Sequence, residues 1–282
     1  MKLPSVSITT ESVPIAPGAG EPIVLRSQDA RGVVTFTLNR PQSFNALSEE
    51  LLAALQRELD AIAKDESVRV IVIAAEGKAF CAGHDLKEMR AEPSLDYYQR
   101  LFDQCSQMML TIQRLPVPVI ARVQGIATAA GCQLVAMCDL AVASRTAKFA
   151  VSGVNLGLFC SAPGVALSRN VLRKAAFEML VTGEFISAEE AKQRGLLNRV
   201  VAPEQLDAEV EKLVASIISK PRVAVAMGKE LFYRQAEMSI TAAYEAAGET
   251  MACNMMDEAA LEGVQAFIEK RLPRWDQGAD RH

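Results

Sequence analysis

Val70-Ile-Val-Ile-Ala-Ala75 is six apolar residues without a polar break, and only Glu76-Gly77 separates it from Lys78-Ala-Phe-Cys-Ala-Gly-His-Asp-Leu-Lys-Glu-Met89. A strand with one wet face alternates apolar and polar residues. A continuous run reads instead as a strand covered on both faces, as parallel strands are. Working outward, Ile23–Arg26 and Val33–Leu38 predict two strands around the Arg31-Gly32 turn, the second partly alternating and β-branched. Asn39-Arg40-Pro41 ends that strand. Ser48 is placed to cap a helix whose apolar positions Leu51, Leu55, Leu59 and Ile62 fall at helical spacing. Strand, strand, helix, strand is the order of an α/β fold with parallel crossovers. Val117–Val123 and Leu140–Ala143 continue it as two further strands, each after a helical stretch.

Past about residue 163 the pattern changes. Ser187-Ala-Glu-Glu190 has the form of a capping box, with the serine accepting from the third helical N–H and the glutamate reaching back. Gly195 stands where that helix stops, and Leu197–Val201 is a short strand. After Pro203 the predicted helices cover roughly 204–219, 222–236, 239–257 and 258–270. Residues 1–21 scatter Pro, Gly, Ser and Thr without period and hold one lysine, no arginine and two glutamates. They match neither a transit segment nor a secretory signal, which leaves a disordered tail and the cytoplasm as default location. The predicted organisation is therefore a tail over 1–21, an α/β core over 22–202 and a helical region over 203–282.

The chain has 282 residues, half of them apolar and 23% charged, enough to bury a large core. Thirty Lys and Arg against 34 Asp and Glu give a net charge of −4, without a nucleic-acid footprint or a polybasic membrane patch. No run reaches the roughly 18 apolar residues that span a bilayer. The six cysteines show no CxxC pair and no zinc spacing, and read as reduced, mostly buried thiols. His84 and His282 are the only histidines, which excludes a multi-histidine metal site.

Two glycine-containing turns carry the chemistry. The first is Lys78–Met89, beyond the carboxyl end of the buried strand, where α/β folds place ligands. The second is Val123-Gln-Gly-Ile-Ala-Thr-Ala-Ala-Gly-Cys-Gln-Leu134, where small residues let a ligand approach a helix start with free N–H groups. Taken alone, each reads equally as a plain tight turn. If their N–H groups converge on a carbonyl oxygen, they form an oxyanion hole.

From about residue 23 to 275 the chain resembles the enoyl-CoA hydratase/isomerase (crotonase) family. The matching segments are LNRPQSFNAL (38–47), KAFCAGHDLKEM (78–89), PVIARVQGIATAAGCQLVAMCDLAVAS (118–144), KFAVSGVNLGLFCSAPG (148–164), VTGEFISAEEAKQRGLLNRVV (181–201) and FIEKRLPRW (267–275), in family order. The resemblance implies a crotonase-like spiral of ββα units, with helical C-terminal parts that build a homotrimer, often paired into a hexamer. It implies an acyl-CoA thioester as substrate or ligand and no permanently bound cofactor. The thioester oxygen would accept from the backbone N–H groups of His84 and Ala130. Carbonyls near Ala82 and His84 would hold the CoA, with Lys87 at its phosphates. Lys270 would approach the nucleotide of a neighbouring subunit. The imidazole of His84 would then lie beside the CoA channel without an obligatory role, and Lys87 reads equally as part of a solvated helix face.

The likeness breaks at the acid and base. Hydratases of the family use two glutamates; their positions here are Gln133 and, twenty residues on, Gly153. An amide can orient water but takes no proton near neutral pH, and each lost acid–base group costs about 10²–10⁴-fold. The loop from Val151 to Gly164 offers Ser152, Asn155, Cys160 and Ser161, and no carboxylate. Cys160 and Ser161, the candidate acyl-pocket residues, stand near places where other branches of the family carry an aspartate. Some synthases with glycine at the place of Gly153 recruit bicarbonate. Cys160 as a nucleophile would need a cation to lower its pKa, and otherwise reads as a buried thiol. Asp85 and Glu88 read as helix-capping and solvating groups. Two functions stay open: an enolate reaction such as double-bond isomerisation, with hydration through Gln133 behind it, or a non-catalytic binder of CoA thioesters.

Overall fold

The computed structural model describes residues 22–275; the expected tail over 1–21 lies outside them. Strand β1 (Val24–Gln28) pairs antiparallel with β2 (Val33–Leu38). Helix α1 (Glu49–Ile62) follows, and the Ser48 side chain accepts from Leu51 N–H as predicted. β3 (Val70–Ala75) is buried along its whole length and lies parallel to β2. The short β4 (Ala79–Cys81) leads to α2 (Leu86–Ala91) and the long α3 (Leu95–Arg114). The next turn repeats the theme with β5 (Val119–Val123), β6 (Ile126–Thr128) and α4 (Ala130–Met137). A third turn has β7 (Leu140–Ser144), β8 (Lys148–Ala150), α5 (Ser161–Asn170) and α6 (Arg173–Thr182).

Each turn sends one strand to each of two sheets. The first sheet has the order β1-β2-β3-β5-β7-β10, and the second β4-β6-β8-β9. β9 (Ile186–Ser187), α7 (Ala188–Gln193) and β10 (Arg199–Val201) close the two sheets. This is the expected spiral of ββα units. Ser187 accepts from Glu190 N–H, but the Glu190 carboxylate pairs with Arg194 at 2.6 Å instead of reaching back. Only half of the capping box forms, because the guanidinium is the stronger partner.

The continuous apolarity of β3 has a direct cause. Ile71 and Ile73 face the main core with Phe36, Leu55 and Val119, while Val70 and Val72 face Val210 and Val214 of α8 (Leu206–Ile218). The last helices, α9 (Arg222–Gln235), α10 (Ile240–Met255) and α11 (Glu258–Ile268), bury almost nothing: no residue of α9, Ala243 of α10 and Ala266 of α11. α9 is nevertheless pinned to the core. Lys229 Nζ donates to the carbonyls of Ile112 and Val117 and to Asp139 at 2.7 Å, and Tyr233 O–H donates to the other Asp139 oxygen.

Candidate active site

The two glycine turns meet. Gly83 has φ 91°, and a Cβ added there would stand 2.9 Å from the Ala129 Cβ and 3.3 Å from the Ala130 nitrogen. A Cβ on Gly131 would fall 2.1 Å from the Cys81 carbonyl oxygen. Glycine at these two positions thus lets the end of β4 lie directly against the start of α4. Asn45 orders the first turn from behind: its amide donates to the carbonyls of Glu76 and Ala79 and its oxygen accepts from Arg40 N–H. Arg40 in turn pairs with Asp85 at 3.2 Å, and Asp85 caps α2 through Lys87 N–H. Glu88 accepts from Glu49 N–H, so it serves the start of α1. In the sequence, Asn39-Arg40-Pro41 shows only as a strand stop, and nothing there signals this bracing.

Leu47 forms a parallel bridge beside His84: its N–H donates to Gly83 O and its carbonyl accepts from Asp85 N–H. By the alternation of an extended backbone, the His84 N–H points the other way. Ala130 is the first residue of α4, where N–H groups have no partner within the helix. Ala129 before it holds φ 49° and ψ −121°, a costly backbone for alanine, of order 1–3 kcal/mol. Among the described residues neither the His84 nor the Ala130 N–H donates to a backbone carbonyl.

Both residues line one cavity of about 500 Å³. Its walls include Leu86, Met89, Phe102, Leu156, Leu158 and Phe159. Ala82, Gly153, Cys160 and Ser161 also line it, whereas Lys87, Gln133 and Lys270 do not. The predicted oxyanion pair, two of the four CoA contacts (Ala82 and His84), one of the two glutamate positions and both candidate acyl-pocket residues therefore line one cavity. Gln133 is buried on α4 with its Oε1 unpartnered, and Lys87 and Lys270 are exposed. The His84 ring packs edge-on to Phe102 at 5.5 Å, and burial pushes its pKa below the ordinary value. Burial thus favours the neutral imidazole and outweighs the opposing Leu47 backbone, while Nδ1 has no hydrogen-bond partner within ordinary geometry.

Gly153 is not a vacancy left by a missing side chain. Its N–H donates to Cys160 Sγ at 3.3 Å, and a Cβ there would meet Leu158 O at 2.5 Å and Cys160 Sγ at 2.7 Å. Burial raises the Cys160 thiol pKa, and no cation opposes the shift, so this sulfur is a neutral thiol rather than a nucleophile. Ser152, a cavity wall residue, shares a 2.9 Å hydrogen bond with Thr128, a pairing that no spacing in the sequence announces. No carboxylate lines this cavity among the described residues. A hollow of about 660 Å³ between the first sheet and α8 is different in kind: its charges answer one another, Arg31 with Glu211 and Arg122 with Asp207.

Known proteins resemble this chain in sequence and in fold. The chain is 49% identical over 248 residues to enoyl-CoA hydratase domain-containing protein 3, mitochondrial, of Xenopus laevis, covering 88% of this chain and 84% of that protein. The human protein of the same name is 45% identical over 262 residues, covering 92% and 86%. A solved structure of an enoyl-CoA hydratase from Mycobacterium smegmatis superposes with TM-score 0.90 at 71% identity, covering 90% of this chain and 99% of that one. The expectation of a cytoplasmic location is overturned here: the similar proteins of Xenopus laevis, rat, mouse, human and zebrafish all carry the word mitochondrial in their names. That expectation rested only on the lack of a recognisable address in residues 1–21. The model of the enoyl-CoA hydratase/isomerase family matches residues 28–278, and the chain belongs to that family.

Proposed function

We propose that the chain binds an acyl-CoA thioester with the acyl group in the apolar cavity and the thioester oxygen between the His84 and Ala130 N–H groups. The observation that carries this reading is two adjacent main-chain donors without a carbonyl partner, on the wall of a cavity otherwise built from apolar side chains. Such donors favour the oxygen most when negative charge develops on it, which makes an enolate the natural intermediate. With a neutral thiol and a glycine where a carboxylate would stand, two-carboxylate hydration has no acid or base to run on. The chemistry that fits is a step with a weak proton-transfer demand, such as double-bond isomerisation, or binding alone. Lys87 supports a contact with CoA phosphates from the exposed start of α2. We also propose assembly as a trimer, or a pair of trimers, through α9–α11. That reading is supported by Phe267 at 85%, Tyr244 at 74% and Leu272 at 86% exposure, too much apolar surface to leave wet. Lys270 then faces a neighbouring subunit rather than its own cavity.

Calorimetric titration with butyryl-CoA and free CoA, beside a crotonyl-CoA hydration assay, tests the proposal. The acyl group adds affinity over free CoA, and hydration runs at least about 100-fold below that of a two-glutamate family member. The similar Mycobacterium smegmatis protein is called a hydratase, and hydration at an ordinary family rate would carry that word to this chain and overturn the proposed chemistry. Absence of acyl-CoA binding would overturn the whole reading.

A further inference from the structure

A second cavity, of about 580 Å³, lies at the other end of β3. Arg69, which leads into β3, stands on its wall, whereas the acyl cavity is built beyond the carboxyl end of that strand. Six residues of strand, roughly 20 Å, separate the two ends. Four cations line it: Arg69, Lys220 and Arg222 from the core side, and Arg274 from the tail that returns along α11. No acidic side chain lines it, and among the described residues none of the four forms an ion pair. The one carboxylate whose titration registers Arg222, Asp65, is engaged by Ser67 through its N–H and its hydroxyl.

Two of these cations are held in place by the backbone. Arg69 Nη2 donates to the carbonyls of Ile218 and Lys220, at 3.1 and 2.6 Å, which leaves its Nε and Nη1 free among the described residues. Arg222 Nε donates to Val68 O at 3.3 Å, leaving both terminal nitrogens. Arg222 is also the first residue of α9, a 14-residue helix with no side-chain cap and no acid in its first turn. Cations at a helix N-terminus oppose the dipole, which favours negative charge there. Positive charge from three segments thus gathers at one hollow. Among the described residues the nearest acid to Arg274, Glu262, accepts from the Arg274 N–H and has its pKa lowered in part by the Arg274 charge, but it pairs with Arg271 and does not line the hollow. One wall is Trp275, the single tryptophan of the chain, fixed by its indole N–H on Ala259 O at 3.1 Å.

We propose that this cavity binds a compact polyphosphate anion, either inorganic pyrophosphate or the diphosphate of a nucleotide, independently of the acyl site. A single phosphate brings about two negative charges and leaves half of the four cations unanswered. Two linked phosphates match them, and arginine forks suit phosphate oxygens.

Trp275 reports on the site directly. Pyrophosphate titrated into the full-length protein at low ionic strength gives a saturable change in tryptophan fluorescence. The apparent Kd rises at least tenfold in the Lys220→Gln, Arg274→Gln double variant. Those two side chains are exposed and, among the described residues, make no hydrogen bond to the core, so an unchanged melting temperature of the variant secures its fold. Saturating butyryl-CoA leaves the pyrophosphate Kd unmoved. Tighter binding of adenosine diphosphate than of pyrophosphate assigns the site to nucleotides, and equal binding assigns it to the inorganic anion. A non-saturating response, an unchanged Kd in the double variant, or displacement by butyryl-CoA would overturn the proposal.

Discussion

Gly153→Ala is the smallest change that tests whether the missing glutamate position is an empty place or a filled one. The added Cβ would lie 2.5 Å from Leu158 O and 2.7 Å from Cys160 Sγ, against ordinary carbon contacts of about 3.5–4 Å. Neither neighbour can step aside freely. Leu158 donates its N–H to Gly153 O at 3.0 Å, and Cys160 Sγ accepts from Gly153 N–H. All of these atoms belong to one closed loop, so the loop must open. Overpacking typically costs about 1–3 kcal/mol, and with a carbonyl oxygen as one of the clashing atoms the upper end applies. At about 2 °C per kcal/mol for a chain of this size, the melting temperature falls by about 6 °C. Butyryl-CoA affinity falls with it, because Leu158 and Cys160 line the cavity. Adding Cys160→Ala removes one of the two clashes, so the double variant is about 1 kcal/mol more stable than the sum of the single changes. Melting within 1 °C of the parent for Gly153→Ala, or strict additivity with Cys160→Ala, would show that the loop has room after all. The same clash means that Gly153→Glu with Gln133→Glu, the restoration the sequence alone invites, rebuilds the loop as well as the carboxylate.

Lys229→Met leaves Asp139 buried without its cation, with only Val119 N–H and Tyr233 O–H as donors; the loss is about 3–5 kcal/mol in urea unfolding, and loss below 1 kcal/mol would mean that the pair does not pin α9. His84 gives a pH dependence whose sign follows from burial. Its folded pKa lies below the ordinary 6.5, so the unfolded chain takes up the proton first. The stability present above pH 6.5 is therefore lost as pH falls through 6.5 toward the folded value. Unfolding free energies between pH 8 and pH 5 fall more steeply for the parent than for His84→Gln, and equal slopes would contradict the buried neutral imidazole.

The legible parts of this fold were those with a local cause. β3 stands out because both its faces are covered and every position must be apolar, and α1 because Ser48 and its apolar stripe fall at the right spacing. β4, β6, β8 and β9 are two or three residues long, too short to show a period, so the second sheet was invisible. In the N-terminal part of α5 and the loop before it, the sequence pointed to Cys160 and Ser161 and to the lack of a carboxylate, but not to the apolar wall. That Leu156, Leu158 and Phe159 form a cavity wall depends on α2 and α3 facing them. The two turns were visible as glycine patterns, and the family likeness suggested that they work together. Their contact through Gly83 and Ala129 is a matter of tertiary packing. Arg69, Lys220, Arg222 and Arg274 are scattered in sequence and meet only because the tail returns along α11. The net charge of −4 concealed that cluster.

The proposed function turns on two main-chain N–H groups that hold the thioester oxygen, and isotope-edited infrared spectroscopy of bound butyryl-CoA carrying carbon-13 at its carbonyl reads that contact without an intermediary. The carbonyl stretch is expected at lower frequency in the complex than in water. Most of that shift should disappear when the Ala130 amide is replaced by an ester, which removes the N–H and keeps the shape. A bound carbonyl with its aqueous frequency, or a shift indifferent to the ester, would mean that these amides do not grip the oxygen.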